Sequence, residues 1–289
     1  MFLYQIPNVR SANVVKRPSK TCKTPYVADV EMAAGADDTA QRADDNAHTK
    51  TNHMAHTACL GCGGLVDAGK QVVMKEVSNP KNVCKYRVVL AKVHERGVEH
   101  IVGVDPKLAE DMVEVALQKN YITSLKDVKE YKREKKFLNS RFDYCGVDAN
   151  NVPFIMEVKN VPLADYVDCL AKEKKGLDFS DRHVCSKIAY FPDGYRKKQT
   201  DTVSPRALKH ITELTEIAVD PDKSVRTIMC YVVQRRDAMC FQASNVDPIY
   251  KAAFNKAHSS GVEMIVLQIG WNTDGTGEFI RDDLPIHYD

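Results

Sequence analysis

The chain has 289 residues, of which 44% are hydrophobic and 28% charged, the composition of an ordinary globular protein with a core. A chain of this length is expected to form two domains. The formal net charge is only +2, so affinity for nucleic acid has to come from local clusters of basic residues. No run of 18 apolar residues occurs, which excludes a transmembrane helix, and we expect no membrane partner.

The cysteines and the N-terminal segment bear on the cellular compartment. The nine cysteines belong to a chain that is too long for a disulfide scaffold and lacks an apolar signal segment. We therefore expect reduced thiols in an intracellular protein, cytoplasmic or nuclear. Residues 1–28 contain no Asp or Glu, a feature shared with mitochondrial targeting segments. Pro7, Pro18 and Pro25 interrupt any helix there, so a basic strand and loop is favoured, with a mitochondrial location left open.

The first ninety or so residues show the alternation and the apolar runs that are typical of strands. Such segments occur at 25–33, 71–77 and 86–93. No helical period appears before residue 105. Residues 34–52 are polar and poor in hydrophobic side chains, which predicts a mobile surface loop. The pattern predicts a small β-domain over residues 1–93.

The pattern changes after His94, and residues 94–289 are predicted to form a second domain. Pro106 and Pro205 each stand at a favoured first helical position, and Ser204 is a typical cap. The predicted elements are a helix at 106–119, strands at 130–137, 141–147 and 152–158, a helix at 205–218, a strand at 225–233, a helix at 248–258 and a strand at 262–270. Their order begins with helix, three strands, helix and strand.

The segment 140–160 contains the most informative residues. Side chains alternate along a strand, so Glu157 and Lys159 share one face of the third strand, away from its apolar face. They could form a simple ion pair on a half-exposed strand, and such pairs contribute little to stability. Asp143 favours a functional site instead, because it lies on the preceding strand of an expected hairpin and can approach Glu157.

Two carboxylates and an ammonium group at one strand edge suit a hard cation and a reactive water. Mg²⁺, or Mn²⁺, takes oxygen ligands, so Asp143 and Glu157 are predicted metal ligands. Lys159 is expected to orient the water and to stabilise developing negative charge. The spacing Asp-x₁₃-Glu-x-Lys resembles the PD-(D/E)xK nuclease pattern, and those enzymes use the same order of elements. Asp143, Glu157 and Lys159 are therefore predicted catalytic residues.

Several blocks of sequence resemble the sugar fermentation stimulation protein family, over roughly residues 13–271. They are SRFD at 140–143, MEVKNV at 156–161, FPD at 191–193, KHITEL at 209–214 and YVVQRRDA at 231–238. The resemblance implies an N-terminal OB-like β-barrel followed by a PD-(D/E)xK restriction-endonuclease-like α/β (α+β) domain with a mixed central sheet. It also implies DNA binding without sequence specificity.

The resemblance further assigns roles to individual residues. Glu114, on the first predicted helix, matches a family glutamate and is expected to add a metal ligand, with a solvated helix glutamate as the alternative. Lys209 and His210 match a basic–His pair, and Gln234 and Arg235 match a block that could meet a phosphate. With Arg141 and Arg17, the expected nucleic-acid contacts are Arg17, Arg141, Lys209, His210, Gln234 and Arg235.

The β-domain departs from the family pattern. A Pro-Asn-Thr-Gly-Arg turn appears here at 55–59 with only Thr57 kept, which removes an arginine suited to a phosphate. Side chains of zinc-ligand types recur at every third position, as His53, His56, Cys59 and Cys62. Zinc fingers usually separate their two ligand pairs more widely, so ordinary β-domain residues are favoured and we expect no bound zinc.

The sequence leaves more than one function open. The first is a Mg²⁺-dependent nuclease that acts on DNA, with RNA as a second substrate class. The alternative is a non-catalytic, sequence-non-specific DNA-binding or regulatory module of the same family. A structural role in an RNA–protein assembly is a third candidate. A homo-oligomer is compatible with all of them.

Overall fold

The computed structural model describes residues 1–32, 52–57, 62–79, 81–137, 140–192, 194, 201–222 and 224–288. The predicted mobile loop 34–52 lies outside these residues, except for Asn52, which begins a strand. The strands are, in chain order, β1 (Phe2–Gln5), β2 (Val9–Lys16), β3 (Val27–Met32), β4 (Asn52–Thr57), β5 (Gln71–Glu76), β6 (Tyr86–Glu95), β7 (Val98–Gly103), β8 (Glu130–Phe137), β9 (Ser140–Val147), β10 (Pro153–Val161), β11 (Ala164–Asp165), β12 (Lys187–Phe191), β13 (Arg226–Val233), β14 (Ala238–Ala243), β15 (Glu263–Trp271), β16 (Thr276–Arg281) and β17 (Ile286–His287).

Three of the four described α-helices begin where the sequence offers a cap followed by proline. The helices are α1 (Pro106–Gln118), α2 (Ala171–Lys174), α3 (Pro205–Ala218) and α4 (Pro248–Ser259). Before each of the three long helices, the side chain of Asp105, Ser204 or Asp247 accepts a hydrogen bond from a first-turn N–H. The cap satisfies one of the donors that a helix leaves unpaired, and proline has no N–H to leave unpaired. Among the described residues, no helix combines the length and the apolar character needed to cross a membrane.

The first sheet closes into a barrel, as the sequence predicts. Its strands follow the order β4-β3-β2-β5-β6, and β4 pairs again with β6 to complete the ring. The interior is filled by small and branched apolar side chains from alternate positions of these strands, Val14, Val30, Val72 and Val88 among them. The predicted OB-like barrel is confirmed.

The domain limits differ from those predicted. The expected boundary at 93/94 falls inside β6, because that strand continues to Glu95 and pairs with β7 up to Gly103. At the other end, β1 is not part of the barrel and pairs with β16 in the second sheet. The first strand therefore belongs to the sheet of the α/β domain, the next strands form the barrel, and the chain then re-enters the α/β sheet. This topology depends on pairing partners that are distant in sequence.

The second sheet is the mixed sheet that the sequence predicts, with seven strands in the order β1-β16-β15-β13-β10-β9-β8. β10, β13 and β15 are parallel, while the outer neighbours are antiparallel. Phe154 and Met156 of β10 pack with α1 on one face, where barrel residues such as Leu90 join the same core. Ile155 packs with α3 and α4 on the other face.

The segment between β10 and α3, whose structure the sequence does not predict, contributes to a smaller sheet. The strand order of this smaller sheet is β11-β12-β14-β17, and the segment supplies β11 and β12. β12 and β14 run parallel, and Phe241 of β14 joins the core beneath α4. Ala189 of β12 joins the same core as Val161 at the end of β10, so this sheet packs on the α3 and α4 side of the domain.

Candidate active site

Asp143 lies where β9 and β10 separate. The hydrogen-bonded ladder between these strands ends with Tyr144 opposite Met156. The next donor along β10, the N–H of Val158, is taken by the Asp143 carboxylate at 2.7 Å. On the other side, Glu134 has a positive φ of 54°, and the β8–β9 pairing skips the position opposite Asp143. The side chain of Asp143 therefore fills the opening between two diverging strands.

Glu157 is held by two neighbouring side chains. Lys159 and His210 both form hydrogen bonds with its Oε1 atom. The Glu157 side chain is only 3% exposed and that of His210 5%. The second oxygen, Oε2, is buried and has no hydrogen-bond partner among the described residues. A buried carboxylate oxygen without a partner is unusual in a folded protein and points to a ligand.

The two carboxylates differ in their ionisation. Burial and the charge of Glu157 raise the pKa of Asp143 to about 7, against the N–H of Val158 and the charge of Lys159. Burial alone would also raise the pKa of Glu157, but Lys159 and His210 outweigh it, so that pKa is lowered. Glu157 is thus the ionised partner at neutral pH. A cation placed between the two groups would allow both to carry charge.

The donor set fits a hard divalent cation. Asp143 and Glu157 supply carboxylate oxygens, and the unpartnered Oε2 of Glu157 is available as a ligand. Within the described ranges, no group of three or more His, Cys, Asp and Glu side chains is placed to hold a metal ion. An ion with two protein ligands would complete its coordination with water and substrate oxygens, as Mg²⁺ commonly does.

The first helix brings a different carboxylate near the pair from the one expected. Glu114 forms an ion pair with Arg133 at 2.7 Å, and Arg133 also binds Glu110 and Asp111. Glu110, one turn earlier on α1, contributes to the raised pKa of Asp143. The expected ligand role of Glu114 is therefore corrected to an ion pair with Arg133. The sequence offers no sign of this, because both glutamates lie on one helix face.

Three of the expected nucleic-acid contacts meet around one recess. The recess has a volume of about 420 Å³ and lies at the start of α3. It is lined by Ser140, Arg141, Pro205, Arg206, Lys209 and His210. Arg206 was not among the expected contacts, although a basic residue in the first turn of a helix beside Lys209 could have indicated it. His210 has a second role, because its ring bonds to Glu157.

The other three expected contacts are engaged inside the protein. Gln234 is fully buried and bonds to Asn160 and Trp271. Arg235 is 3% exposed and binds Asp237 through two nitrogen atoms.

The Arg17 side chain is 6% exposed and donates to the carbonyl of Pro25. Buried groups with satisfied hydrogen bonds cannot reach a phosphate without breaking them. The expected phosphate contacts of Gln234, Arg235 and Arg17 are thus corrected to structural roles.

The zinc-type residues of the barrel are only partly described. His53 and His56 lie on β4, and their odd spacing puts them on opposite faces of the strand. The His53 ring contacts Tyr86, with 5.4 Å between ring centroids. Cys59 and the side chain of Cys62 lie outside the described residues. The expectation of no bound zinc therefore stays a prediction.

The comparisons with known proteins concern the fold and the family. The chain combines a closed β-barrel with an α/β domain built on a mixed sheet. The family model "Sugar fermentation stimulation protein RE domain" matches residues 107–172 and 173–275. The sugar fermentation stimulation protein homolog of Ruegeria sp. (strain TM1040) is 32% identical over 237 residues, covering 81% of this chain and 86% of that protein. The chain belongs to the sugar fermentation stimulation protein family.

Two further relatives cover more of the chain. The homolog of Clostridium novyi (strain NT) is 25% identical over 261 residues and covers 90% of each chain. The solved structure of Pyrococcus furiosus SfsA in complex with Ca²⁺ matches with a TM-score of 0.73 over 99% of both chains, at 18% identity. This likeness shows that the two proteins share the whole fold, with barrel and α/β domain together.

Proposed function

We propose that this protein is a metal-dependent nuclease that adds water across phosphodiester bonds of DNA. The observation that carries the proposal is the meeting of Asp143 and Glu157 where β9 and β10 separate, with Lys159 against Glu157. The oxygen Oε2 of Glu157 supports it, because a buried carboxylate oxygen without a hydrogen-bond partner among the described residues is suited to binding a ligand.

Asp143 and Glu157 are the residues that would hold Mg²⁺ or Mn²⁺. When bound, such an ion neutralises charge on the phosphodiester and lowers the pKa of a water molecule. The Pyrococcus furiosus relative was solved with Ca²⁺, which shares with Mg²⁺ the preference for oxygen ligands. The raised pKa of Asp143 also supports a bound cation. A cation beside this carboxylate would favour its ionised form, which burial and the charge of Glu157 disfavour.

Lys159 and His210 act through charge and orientation. The Lys159 ammonium lies against Glu157, where it stabilises negative charge that develops on the phosphate. His210 bonds to the same oxygen of Glu157 from α3, so the carboxylate is fixed from two directions. With Oε1 held in this way, Oε2 is the oxygen that remains for a ligand.

The basic recess beside the site supports nucleic acid as the substrate. Arg141, Arg206 and Lys209 lie around it, and their charges suit a phosphate backbone. Such contacts carry no base information, so DNA binding is expected to be weakly sequence-specific and to fall steeply with salt. They also do not distinguish DNA from RNA, and RNA remains a second substrate class.

A second candidate is a DNA-binding module without catalysis. It is favoured by the engaged state of Glu157, whose Oε1 already has two partners, and by the small number of metal ligands among the described residues. In that case the Lys159 and His210 contacts would serve the stability of the domain alone. Only an activity measurement separates the two candidates.

The test is a cleavage assay with plasmid DNA and with single- and double-stranded DNA and RNA oligonucleotides, in Mg²⁺ or Mn²⁺. Asp143→Ala/Glu157→Ala is expected to abolish cleavage. Glu130→Ala/Asp222→Ala, which removes two exposed carboxylates, is the control and should cut like the wild type. A wild-type protein that binds these substrates and leaves all of them uncut would establish the second candidate instead.

A further inference from the structure

The recess at the start of α3 contains a polar group that the fold itself does not use. Ser140 is 5% exposed, and its hydroxyl has no hydrogen-bond partner among the described residues. It is the first residue of β9 and lines the recess. A buried hydroxyl without a partner costs free energy, so it indicates a ligand with a hydrogen-bonding oxygen.

The other groups around the recess favour an anion. Pro205 and Arg206 are the first residues of α3, a helix of 14 residues, and the positive end of its dipole therefore faces the recess. Arg141, Arg206 and Lys209 add side-chain charges. The acids nearby are Glu134, which pairs with Arg141 at 3.3 Å, and Glu213, which pairs with Lys209 at 3.6 Å. Both pairs are partly or largely exposed, and such pairs hold their side chains only weakly.

From these observations we infer that the recess formed by Ser140, Arg141, Arg206, Lys209 and His210 is a phosphate-binding subsite. Its ligand is a phosphate group of a nucleic-acid strand, which is the part of the inference that rests on the proposed function. The group is either an internal phosphodiester or a terminal phosphate, and the two share the same chemistry of recognition. A hydroxyl, a helix start and planar guanidinium groups together suit a tetrahedral anion with several oxygens.

The subsite is separate from the position where the bond would be cut. His210 lines the recess and also bonds to Glu157, so one imidazole ring stands between the two. A phosphate in the recess is therefore not the one next to Asp143 and Glu157. It belongs to a neighbouring nucleotide, and its contacts fix how the strand enters the site.

The experiment measures binding without divalent metal, in EDTA, so that cleavage does not interfere. Inorganic phosphate is titrated and followed by ³¹P line broadening and by the rise in Tm of the protein. Arg206→Gln/Lys209→Gln removes two exposed charges of the recess and is expected to weaken phosphate binding about tenfold. Lys172→Gln/Lys256→Gln, two exposed lysines that do not line the recess, is the charge-matched control and should bind like the wild type.

Ser140→Ala separates binding from folding. Because the hydroxyl has no hydrogen-bond partner within the part of the chain that the structure describes, its loss is expected to leave Tm without phosphate unchanged or higher. The same variant should show a smaller rise in Tm when phosphate is added. Phosphate binding that is equal in wild type, Ser140→Ala and the Arg206/Lys209 variant would overturn the subsite.

The source of the phosphate follows from short oligonucleotides with a 5′-phosphate, a 3′-phosphate or neither. A preference for one phosphorylated end that disappears in Arg206→Gln/Lys209→Gln identifies a terminal phosphate. Equal weakening of all three in that variant identifies an internal phosphodiester. If Arg206→Gln/Lys209→Gln binds all three oligonucleotides as tightly as the control variant does, the inference is refuted. Phosphate binding at the recess by a protein that cuts no substrate would refute the nuclease proposal and leave the subsite standing.

Discussion

Lys159 is the residue at which catalysis and binding can be separated. Its ammonium contacts Glu157 and lies outside the recess around which the other basic side chains gather. Lys159→Ala is expected to lower the cleavage rate by about 100-fold or more, because it removes a positive charge next to the reacting phosphate. Its DNA affinity should change only a few-fold, as for one contact among several.

The measurement is single-turnover cleavage together with fluorescence anisotropy of labelled DNA at fixed salt. Lys172→Ala is the control, an exposed lysine outside both the site and the recess. If Lys159→Ala lost affinity and cleavage in equal proportion, the ammonium would be a binding group and the proposed role would be wrong.

At the scale of single residues, the sequence predicts the central site and does not predict its surroundings. Asp143, Glu157 and Lys159 follow from strand alternation and a hairpin, which are local rules. The contact of His210 with Glu157 depends on how α3 packs over β10, and no local pattern contains that. A signal was present all the same. His210 occupies the apolar stripe of α3 between Ala207 and Ile211, where a titratable side chain needs a buried partner.

Among the helices, α1 is the one whose start is tied to the barrel. Asp105 caps it and also binds Arg87 of β6 through two hydrogen bonds, of 2.6 and 2.7 Å. Asp105→Ala is therefore expected to cost more than the loss of an ordinary cap, about 2–4 kcal/mol of unfolding free energy. Ser204→Ala, which removes only the cap of α3, should cost about 1 kcal/mol.

Urea unfolding of both variants gives the comparison. Arg87→Gln removes the charge from the same contact. Its loss of unfolding free energy should approach the loss for Asp105→Ala minus the loss for Ser204→Ala. Equal losses for Asp105→Ala and Ser204→Ala would mean that the Arg87 contact contributes nothing measurable.

The helices were also the elements that the sequence predicted best. α3 is found at the predicted residues, because Ser204, Pro205 and the apolar stripe all act locally. Strands β7, β14 and β16 were not predicted. Their stability comes from partners elsewhere in the chain, as β14 shows by lying between β12 and β17. Local patterns report what a segment can form and not what it pairs with.

Across the whole molecule, a buried network of charges joins the barrel to the α/β domain. Lys187 of β12 contacts Glu95 of β6 and, at 2.8 Å, Asp237, which Arg235 also binds. Burial would raise the pKa of Asp237, but Arg235 and Lys187 outweigh it and hold that pKa well below its usual range. The carboxylate therefore stabilises the folded state as long as it stays ionised.

The sign of the pH effect follows from this shift. A depressed folded pKa gives stability that is present above the unfolded value, about 3.9, and is lost as the pH falls toward the folded value. The wild-type Tm is expected to fall below about pH 4. Asp237→Asn should have a lower Tm at pH 7 and a shallower decline in acid, measured by thermal unfolding between pH 7 and pH 3. If Tm fell with pH in parallel for the wild type and Asp237→Asn, Asp237 would not contribute to the loss of stability in acid.

The first strand ties the chain terminus to the same core. Leu3 of β1 is 2% exposed and packs in the cluster between α1 and the sheet, while its neighbour Phe2 is 57% exposed. Leu3→Ala is expected to cost about 2–4 kcal/mol of unfolding free energy, because it opens a cavity in that core. Phe2→Ala serves as the control and should cost about 1 kcal/mol or less, including its contact with Lys119. Urea unfolding that fails to separate these two variants would contradict the buried role of β1.

The pairing of β1 with β16 also sets an order of assembly on the ribosome. Phe2 lies opposite Glu278, so β1 leaves the exit tunnel well before the strand with which it pairs. The barrel, whose strands lie between Val9 and Gly103, is complete in the nascent chain long before that pairing can form. β1 must wait unpaired throughout synthesis of the α/β domain, with the apolar side chains of Leu3 and Ile6 available to chaperones. The pairing of β1 with β16 is therefore a late step of folding, because it cannot begin until the barrel strands and β8 to β15 have been synthesised.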